Sequence, residues 1–322
     1  VIKMRVLLTG SSGWLGRYLG PALRQQGHDV IGFDIAEGAG TTVQASVADR
    51  AAIERTFADH ALDAVVHAAA LHKPDIARNP ASAFLDVNVT GTLNLLEAAR
   101  AAGVRRFVFT STTSLMISQA IRNEEGNAAV WLDESAGPLE PRNIYGVTKL
   151  TAEGLCRIAH LEHGLPCVVL RTARFFPEDD DTHAKPCGEN LKANEFLYRR
   201  ATVEDVSRAH LLALEKAPDL GFETFIIAAK TPFSREDAQA LKQDPSAVIT
   251  RLFPHQAALY AKRGWVLPTS IGRVYDAERA QRLLGFRAQT DFAAVLDALS
   301  TGAPLPFAHD PSYFAPHAGL IG

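Results

Sequence analysis

The chain has 322 residues, 47% of them hydrophobic, and carries a formal net charge of −3 with no long basic run. This is enough material for a large core, and it sets aside nucleic acid and an anionic membrane as main partners. No run of about 18 apolar residues is present to span a bilayer, and the first residues lack the layout of a secretory leader, so a cytoplasmic protein is expected.

The elements alternate. RVLLTG (5–10) reads as a strand, 14–26 as a helix and DVIGFD (29–34) as the next strand. A helix is expected over 49–60, a strand over 62–70 and a long helix over 80–102. In that helix Asn79 is the expected N-cap, Pro80 suits the first turn and Gly103 suits the stop. A strand at 105–111, a helix at 143–163 and a strand at 166–172 follow. Strands alternating with helices predict an α/β fold of Rossmann type, a doubly wound parallel sheet. Such sheets bind ligands beyond the C-terminal ends of their strands.

After residue 172 the rhythm weakens. A helix is expected over 203–217, a strand over 223–228 and short helices over 234–242, 254–262, 276–284 and 291–300, with an irregular surface tail from 302. The chain therefore divides into a Rossmann core, 4–172, and a small C-terminal lobe, 173–322, whose segments partly rejoin the core. Cys156, Cys167 and Cys187 have neither disulfide nor metal spacing, so two buried thiols, one loop thiol and no metal site are expected.

TGSSGWLG (9–16) joins the first strand to the first helix. Gly10 permits the tight turn, Gly13 lets backbone approach a pyrophosphate, and Gly16 lets the helix pack on the strand. The helix N-terminus offers unpaired N–H groups to the phosphates. Asp34 ends the second strand, where its carboxylate can accept from the ribose hydroxyls and repel a 2′-phosphate, so NAD is favoured over NADP.

YGVTK places Tyr145 and Lys149 on one helix face. A phenol titrates near pH 10, and a neighbouring ammonium is expected to lower that value and to hold the nicotinamide ribose. TSTTS (110–114) sets hydroxyls at the end of a core strand, within reach of a substrate oxygen.

Together these motifs resemble the extended short-chain dehydrogenase/reductases, the epimerase/dehydratase branch that holds UDP-galactose 4-epimerase. The resemblance covers about residues 4–300 and adds HAAA (67–70), NVTGT (88–92), VEDVSRAHLLALE (203–215) and AERAQRLLGF (277–286). It implies Thr112, Tyr145 and Lys149 as the catalytic set. It implies a cofactor site of Gly10, Ser12, Gly13, Trp14, Leu15, Asp34, Ser46, Val47, Ala68, Ala69, Ala70, Asn88 and Ser111, together with Tyr145 and Lys149. Asn88 would order strand–helix packing. His72 is either a cofactor or substrate contact or a surface loop residue; Thr112 and Thr113 complete the substrate side. A homodimer through helices like 80–102 and 143–163 is implied.

The chain also departs from that pattern. Ser46 stands where relatives carry an Asp toward adenine. Thr112 is followed by Thr113 and Ser114 rather than by Asp and Glu, which speaks against dehydration. In VVLRTARFFPEDDD (168–181), Arg171 fits but Arg174 replaces an Asn that meets the nucleotide-sugar. The segment up to LYRRATVEDV is short, and Tyr198 replaces a phosphate-binding Arg. A small substrate with a carboxylate or phosphate fits Arg174 as anchor. Alternatively, Arg174 pairs with Glu178 or an Asp of 179–181 and closes its loop. A metal held by that acidic run and His183 is disfavoured. Trp131 either covers the substrate or pins its insertion to the core. The expected function is NAD-dependent hydride transfer at a hydroxyl-bearing carbon of a small sugar or sugar acid. The alternatives are an epimerase with retained NAD and a non-catalytic NAD-binding regulator.

Overall fold

The computed structural model describes residues 2–179, 186 and 188–316. Asp180, Asp181, His183 and Cys187 lie outside the described residues. Seven strands form one sheet in the order β3-β2-β1-β4-β5-β7-β8. They are β1 (Arg5–Thr9), β2 (Asp29–Asp34), β3 (Val43–Gln44), β4 (Ala64–His67), β5 (Phe107–Thr112), β7 (Cys167–Thr172) and β8 (Phe222–Ile227). Every pairing in it is parallel. Parallel strands need both faces covered, and the strands are accordingly apolar nearly throughout. On one face Leu8, Val66, Val108, Val168 and Phe225 pack with the helices Trp14–Gln25 and Val203–Leu220. On the other, Leu7, Phe33, Val65, Phe107 and Val169 pack with Leu95 and Cys156.

The strand order reverses between β1 and β4, which pair with each other there. The exits of β1, β4, β5 and β7 therefore open side by side, and a site at this crevice follows from the topology. Gly10 tightens the turn after β1 at φ +72°. A Cβ on Gly10 would lie 2.8 Å from the Ala69 backbone nitrogen, so the β1 and β4 exits touch only because it is glycine.

The expected helix over 80–102 is a single rod with a π turn at Leu85–Thr90 between Ala81–Phe84 and Gly91–Ala101. Asn79 does not cap it. Pro80 occupies that position, and the Asn79 amide donates instead to the Asp75 carbonyl at 3.2 Å. Gly103 does follow the helix end, at φ +70°.

Segments of the two halves interleave. β8 and the helix Val203–Leu220 complete the main sheet and its cover. The insertion before Tyr145 contributes a short strand, β6 (Val130–Leu132), which pairs in parallel with β9 (Arg273–Tyr275). Trp131 Nε1 donates to Asp276 at 3.1 Å, and Trp131 packs against the third core cluster, built on Phe196, Leu241, Ile249, Tyr260 and Phe292. Trp131 thus pins the insertion to the lobe; it is not among the residues lining the substrate cavity. Cys156 and Cys167 are buried free thiols. No helix among the described residues is long and apolar enough to cross a membrane.

His67 and His210 are almost completely buried. Burial lowers both pKa values, that of His210 to about 4. The unfolded chain takes up those protons near pH 6.5 and the folded chain does not. Stability is therefore full above about pH 6.5 and is lost as the pH falls toward about 4. A melting series should show Tm declining through that window, and His210→Gln should flatten the decline.

Candidate active site

Two connected cavities lie along the strand exits. The first is lined by Gly10, Gly13, Trp14 and Leu15 from the glycine turn and helix start, and by Asp34 at the end of β2. Ser46 and Val47 close its far side, and Ala68, Ala69 and Ala70 its floor. Gly13 caps the helix with backbone alone, and no acidic residue sits in the first turn. The first N–H groups of any helix lack intrahelical partners, so this end presents donors and a positive dipole to an anion. A Cβ on Gly13 would meet only the Gly10 carbonyl, at 3.3 Å, so no side chain stands between that end and the cavity. Asp34 accepts from Ser12 N and Ala36 N, one bond on each oxygen, both at 2.9 Å. A carboxylate has about four acceptor positions, so each oxygen keeps one for a ribose hydroxyl. These residues fit a dinucleotide.

Ser12 does not line this cavity. Its amide is tied to Asp34 and its hydroxyl lies 2.7 Å from Thr41 Oγ1, so it braces the turn. Asn88 is also away from both cavities. The π turn rotates it inward, where its amide exchanges two hydrogen bonds with the Leu71 backbone and donates to Thr148 Oγ1 at 3.1 Å. It couples the exit of β4 to the helix Ile144–His163.

The second cavity has a volume of about 560 Å³ and shares Ala68, Ala70, His72, Thr110, Phe175 and Phe176 with the first. Ser111, Thr112, Thr113, Tyr145 and Lys149 line it together, so the expected catalytic set and the substrate-side hydroxyls converge. Asn143 caps the helix by accepting from Gly146 N at 2.9 Å, which brings Tyr145 and Lys149 up beside β5. Burial pushes the Tyr145 phenol up to about 12, and the Thr112 hydroxyl, hydrogen-bonded to it, pulls the other way. Lys149 donates to the Thr110 carbonyl at 2.5 Å and lies 4.0 Å from the centre of the Phe109 ring. Burial brings the ammonium down to about 7, while Cys156 and Glu153 favour its charge. The expected lowering of the phenol by Lys149 is therefore not what this geometry shows. The lysine is engaged with the strand carbonyl, and the contact that favours phenolate is Thr112.

His72 belongs to the site rather than to an outer loop. Its ring centre lies 5.9 Å from that of Tyr145 and 5.3 Å from that of Phe176. The paired rings of Phe175 and Phe176, 4.7 Å apart, form a wall that sequence reading passed over although both stand in the stretch 168–181. Glu153 was also missed. It lies one turn beyond Lys149, accepts from Ser111 Oγ at 2.6 Å and forms an ion pair with Arg171 at 2.7 Å, with side chains 7% and 8% exposed. An i, i+4 spacing from Lys149 was the available signal.

Arg174 lines the second cavity and also lies 3.6 Å from Glu178. Both readings of Arg174 are thus present at once: it pairs with Glu178, whose carbonyl also accepts from its Nη2 at 3.4 Å, and it lines the cavity. Tyr198 is pinned under Arg199, and its carbonyl accepts from Tyr275 N at 2.9 Å. The tail is irregular but not remote. Tyr313 packs edge-on against Trp14 at 5.2 Å, Phe314 lies under Arg78 at 4.3 Å, and both line the second cavity. Among the described residues, no group of three or more His, Cys, Asp or Glu is placed to hold a metal.

A doubly wound sheet, a glycine turn at its switch point and a Tyr–Lys helix beside the strand exits define a dinucleotide-dependent enzyme of the short-chain dehydrogenase type. The family model described as NAD dependent epimerase/dehydratase matches residues 6–228, and the chain belongs to that family. It is similar to a UDP-glucose 4-epimerase of Klebsiella pneumoniae, 34% identical over 127 residues, which are 35% of this chain and 91% of that one. It is also similar to a uronate dehydrogenase of Pseudomonas syringae pv. tomato, 31% identical over 180 residues, 54% of this chain and 60% of that one. A solved short-chain dehydrogenase/reductase superfamily protein from Agrobacterium tumefaciens, with bound NAD, superposes with a TM-score of 0.66 at 25% identity, covering 92% of this chain and 96% of that chain. The chain is thus an NAD-using enzyme of this family.

Proposed function

We propose that the protein oxidises a hydroxyl or cyclic hemiacetal carbon of a small sugar acid. The observation that carries this reading is Arg174 facing the cavity that Thr112 and Tyr145 also line. The charges there are mostly positive, which suits a carboxylate and not a neutral sugar. When bound, NAD supplies the hydride acceptor. Gly13 and the helix N-terminus would hold its pyrophosphate, and Asp34 its adenosine ribose. Thr112 orients the substrate hydroxyl and favours the phenolate of Tyr145, which takes the hydroxyl proton and becomes neutral, while Lys149, next along the helix face, would hold the nicotinamide ribose. Phe175 and Phe176 keep water from the shared end of the two cavities.

Arg174→Gln should raise KM for sugar acids by about tenfold or more, the usual loss for a charge-assisted hydrogen bond, with kcat and neutral sugars little affected. Equal effects on neutral and acidic substrates would remove Arg174 as anchor. The similarity to a uronate dehydrogenase supports this reading, and the similarity to UDP-glucose 4-epimerase keeps a second one, an epimerase that retains its NAD. The second predicts no net NADH.

The same reading includes a homodimer. Leu93, Val147, Ile158 and Leu161 are exposed, at 39%, 43%, 44% and 59%, on the neighbouring helices Gly91–Ala101 and Ile144–His163. Apolar side chains on two packed helices suit burial against a copy of themselves. Light scattering should give a dimer mass, and Leu93→Glu combined with Ile158→Glu should give a monomer.

A further inference from the structure

Besides Arg174, three arginines that line the substrate cavity come from separate segments. Arg122 ends the short helix Gln119–Arg122, Arg142 directly precedes the cap of the Tyr145 helix, and Arg273 opens β9. All three line the cavity. The pairing of β6 with β9 brings insertion and lobe together there, and Arg142 Nε donates to the Ile117 carbonyl at 3.0 Å. The pKa of Arg142 is lowered by burial and by Arg122 and Arg273, so both neighbouring guanidinium groups repel it. Arg273 Nε is buried with no hydrogen-bond partner. Glu124, the acid that senses Arg273, is bonded to Lys242 at 3.1 Å and to Ser270 at 2.9 Å. None of the three arginines forms an ion pair with another described residue. Glu195 neutralises Arg199 and Arg200, at 2.8 Å each, so it too is committed elsewhere.

Arg122 and Arg273 both repel Arg142, which is unfavourable, and the unpaired buried N–H of Arg273 adds to that. A multivalent oxyanion relieves both, because planar guanidinium forks match its oxygens. We propose that Arg122, Arg142 and Arg273 form a second anion subsite, which takes a phosphoryl group of the same substrate whose carboxylate meets Arg174. The substrate class is then a phosphorylated sugar acid. This rests on the sugar-acid reading for the first group, while the subsite itself can be tested without turnover.

The test is calorimetric titration of the NAD-saturated enzyme with inorganic phosphate at constant ionic strength, with acetate as the carboxylate probe. Saturation with NAD keeps phosphate out of the dinucleotide site. Arg122→Gln combined with Arg273→Gln should weaken phosphate binding at least about tenfold while NAD affinity is kept. Arg122→Gln alone, at the end of a surface helix, covers the case in which the double variant misfolds, and it should still weaken phosphate binding. Arg174→Gln should leave phosphate affinity nearly unchanged. Phosphate affinity equal in wild type and variants, no phosphate binding to wild type, or loss of it through Arg174→Gln alone would overturn the subsite. Acetate binding as tightly as phosphate through the same arginines would overturn the phosphoryl assignment. Phosphate binding as expected, with no sugar acid ever oxidised, would uphold the subsite and remove the earlier reading instead.

Discussion

Tyr145→Phe lowers kcat by about 10²- to 10⁴-fold, the range for removing a positioned proton-transfer group, and leaves NAD affinity within about threefold. The expectation follows from the position of the phenol. Tyr145 is buried beside Thr112 and lines the substrate cavity but not the dinucleotide cavity. Its hydroxyl is thus poised for substrate, while the turn at Gly10–Leu15 and Asp34 carry the dinucleotide. The replacement removes one oxygen and keeps the packing with Leu71 and Phe84. The pH dependence has a definite sign. A phenol held near 12 is protonated through the neutral range, and oxidation needs it as a base. The oxidation rate should therefore rise with pH, reduction should not, and the rise should vanish in Tyr145→Phe. Stopped-flow measurement of both directions reads this, and full turnover by the variant would remove Tyr145 from the chemistry.

Glu153→Ala carries the largest expected loss of stability, about 3–5 kcal/mol, because it strips one partner from a buried ion pair. Arg171 would keep its charge inside the protein, and one of its nitrogens, Nη1, already lacks a partner. Ser111 would lose its acceptor at the same time. The pair joins β5, β7 and the helix Ile144–His163 beside the cavity that Ser111 lines, so the loss should also lower the activity of the molecules that remain folded. Glu153→Gln, which can still accept from Ser111, should cost less than the alanine variant. Chemical denaturation measures both, and equal stability of Glu153→Ala and wild type would show that the pair contributes nothing.

What the sequence disclosed has a common physical basis. The parallel sheet was readable because strands buried on both faces are continuous apolar runs, as in Ala64–Val66 and Val168–Leu170. The glycine turn and the Tyr145–Lys149 spacing were readable because each is a local geometric requirement. Features that depend on contacts far apart in the chain were not. β6 and β9 are three residues each, too short for a pattern, and exist because they pair with one another. Asn79 has the chemistry of a cap, but Pro80 takes the cap position while Asn79 engages the Asp75 carbonyl. The relation between Lys149 and Tyr145 went wrong because spacing cannot say that the ammonium finds the Thr110 carbonyl. The arginine subsite was hidden for the same reason. Arg122, Arg142 and Arg273 come from three separate segments, and only the folded chain brings them together.

The central claim is oxidation of an anionic sugar with net transfer of hydride to NAD. It is tested most directly by following NADH absorbance while the enzyme is offered free NAD and matched pairs of substrates, each sugar acid beside its neutral sugar. The account predicts stoichiometric NADH with sugar acids, with markedly less from their neutral counterparts and none from the Tyr145→Phe variant. Interconversion of epimers by an enzyme that keeps its NAD and releases no NADH would contradict it.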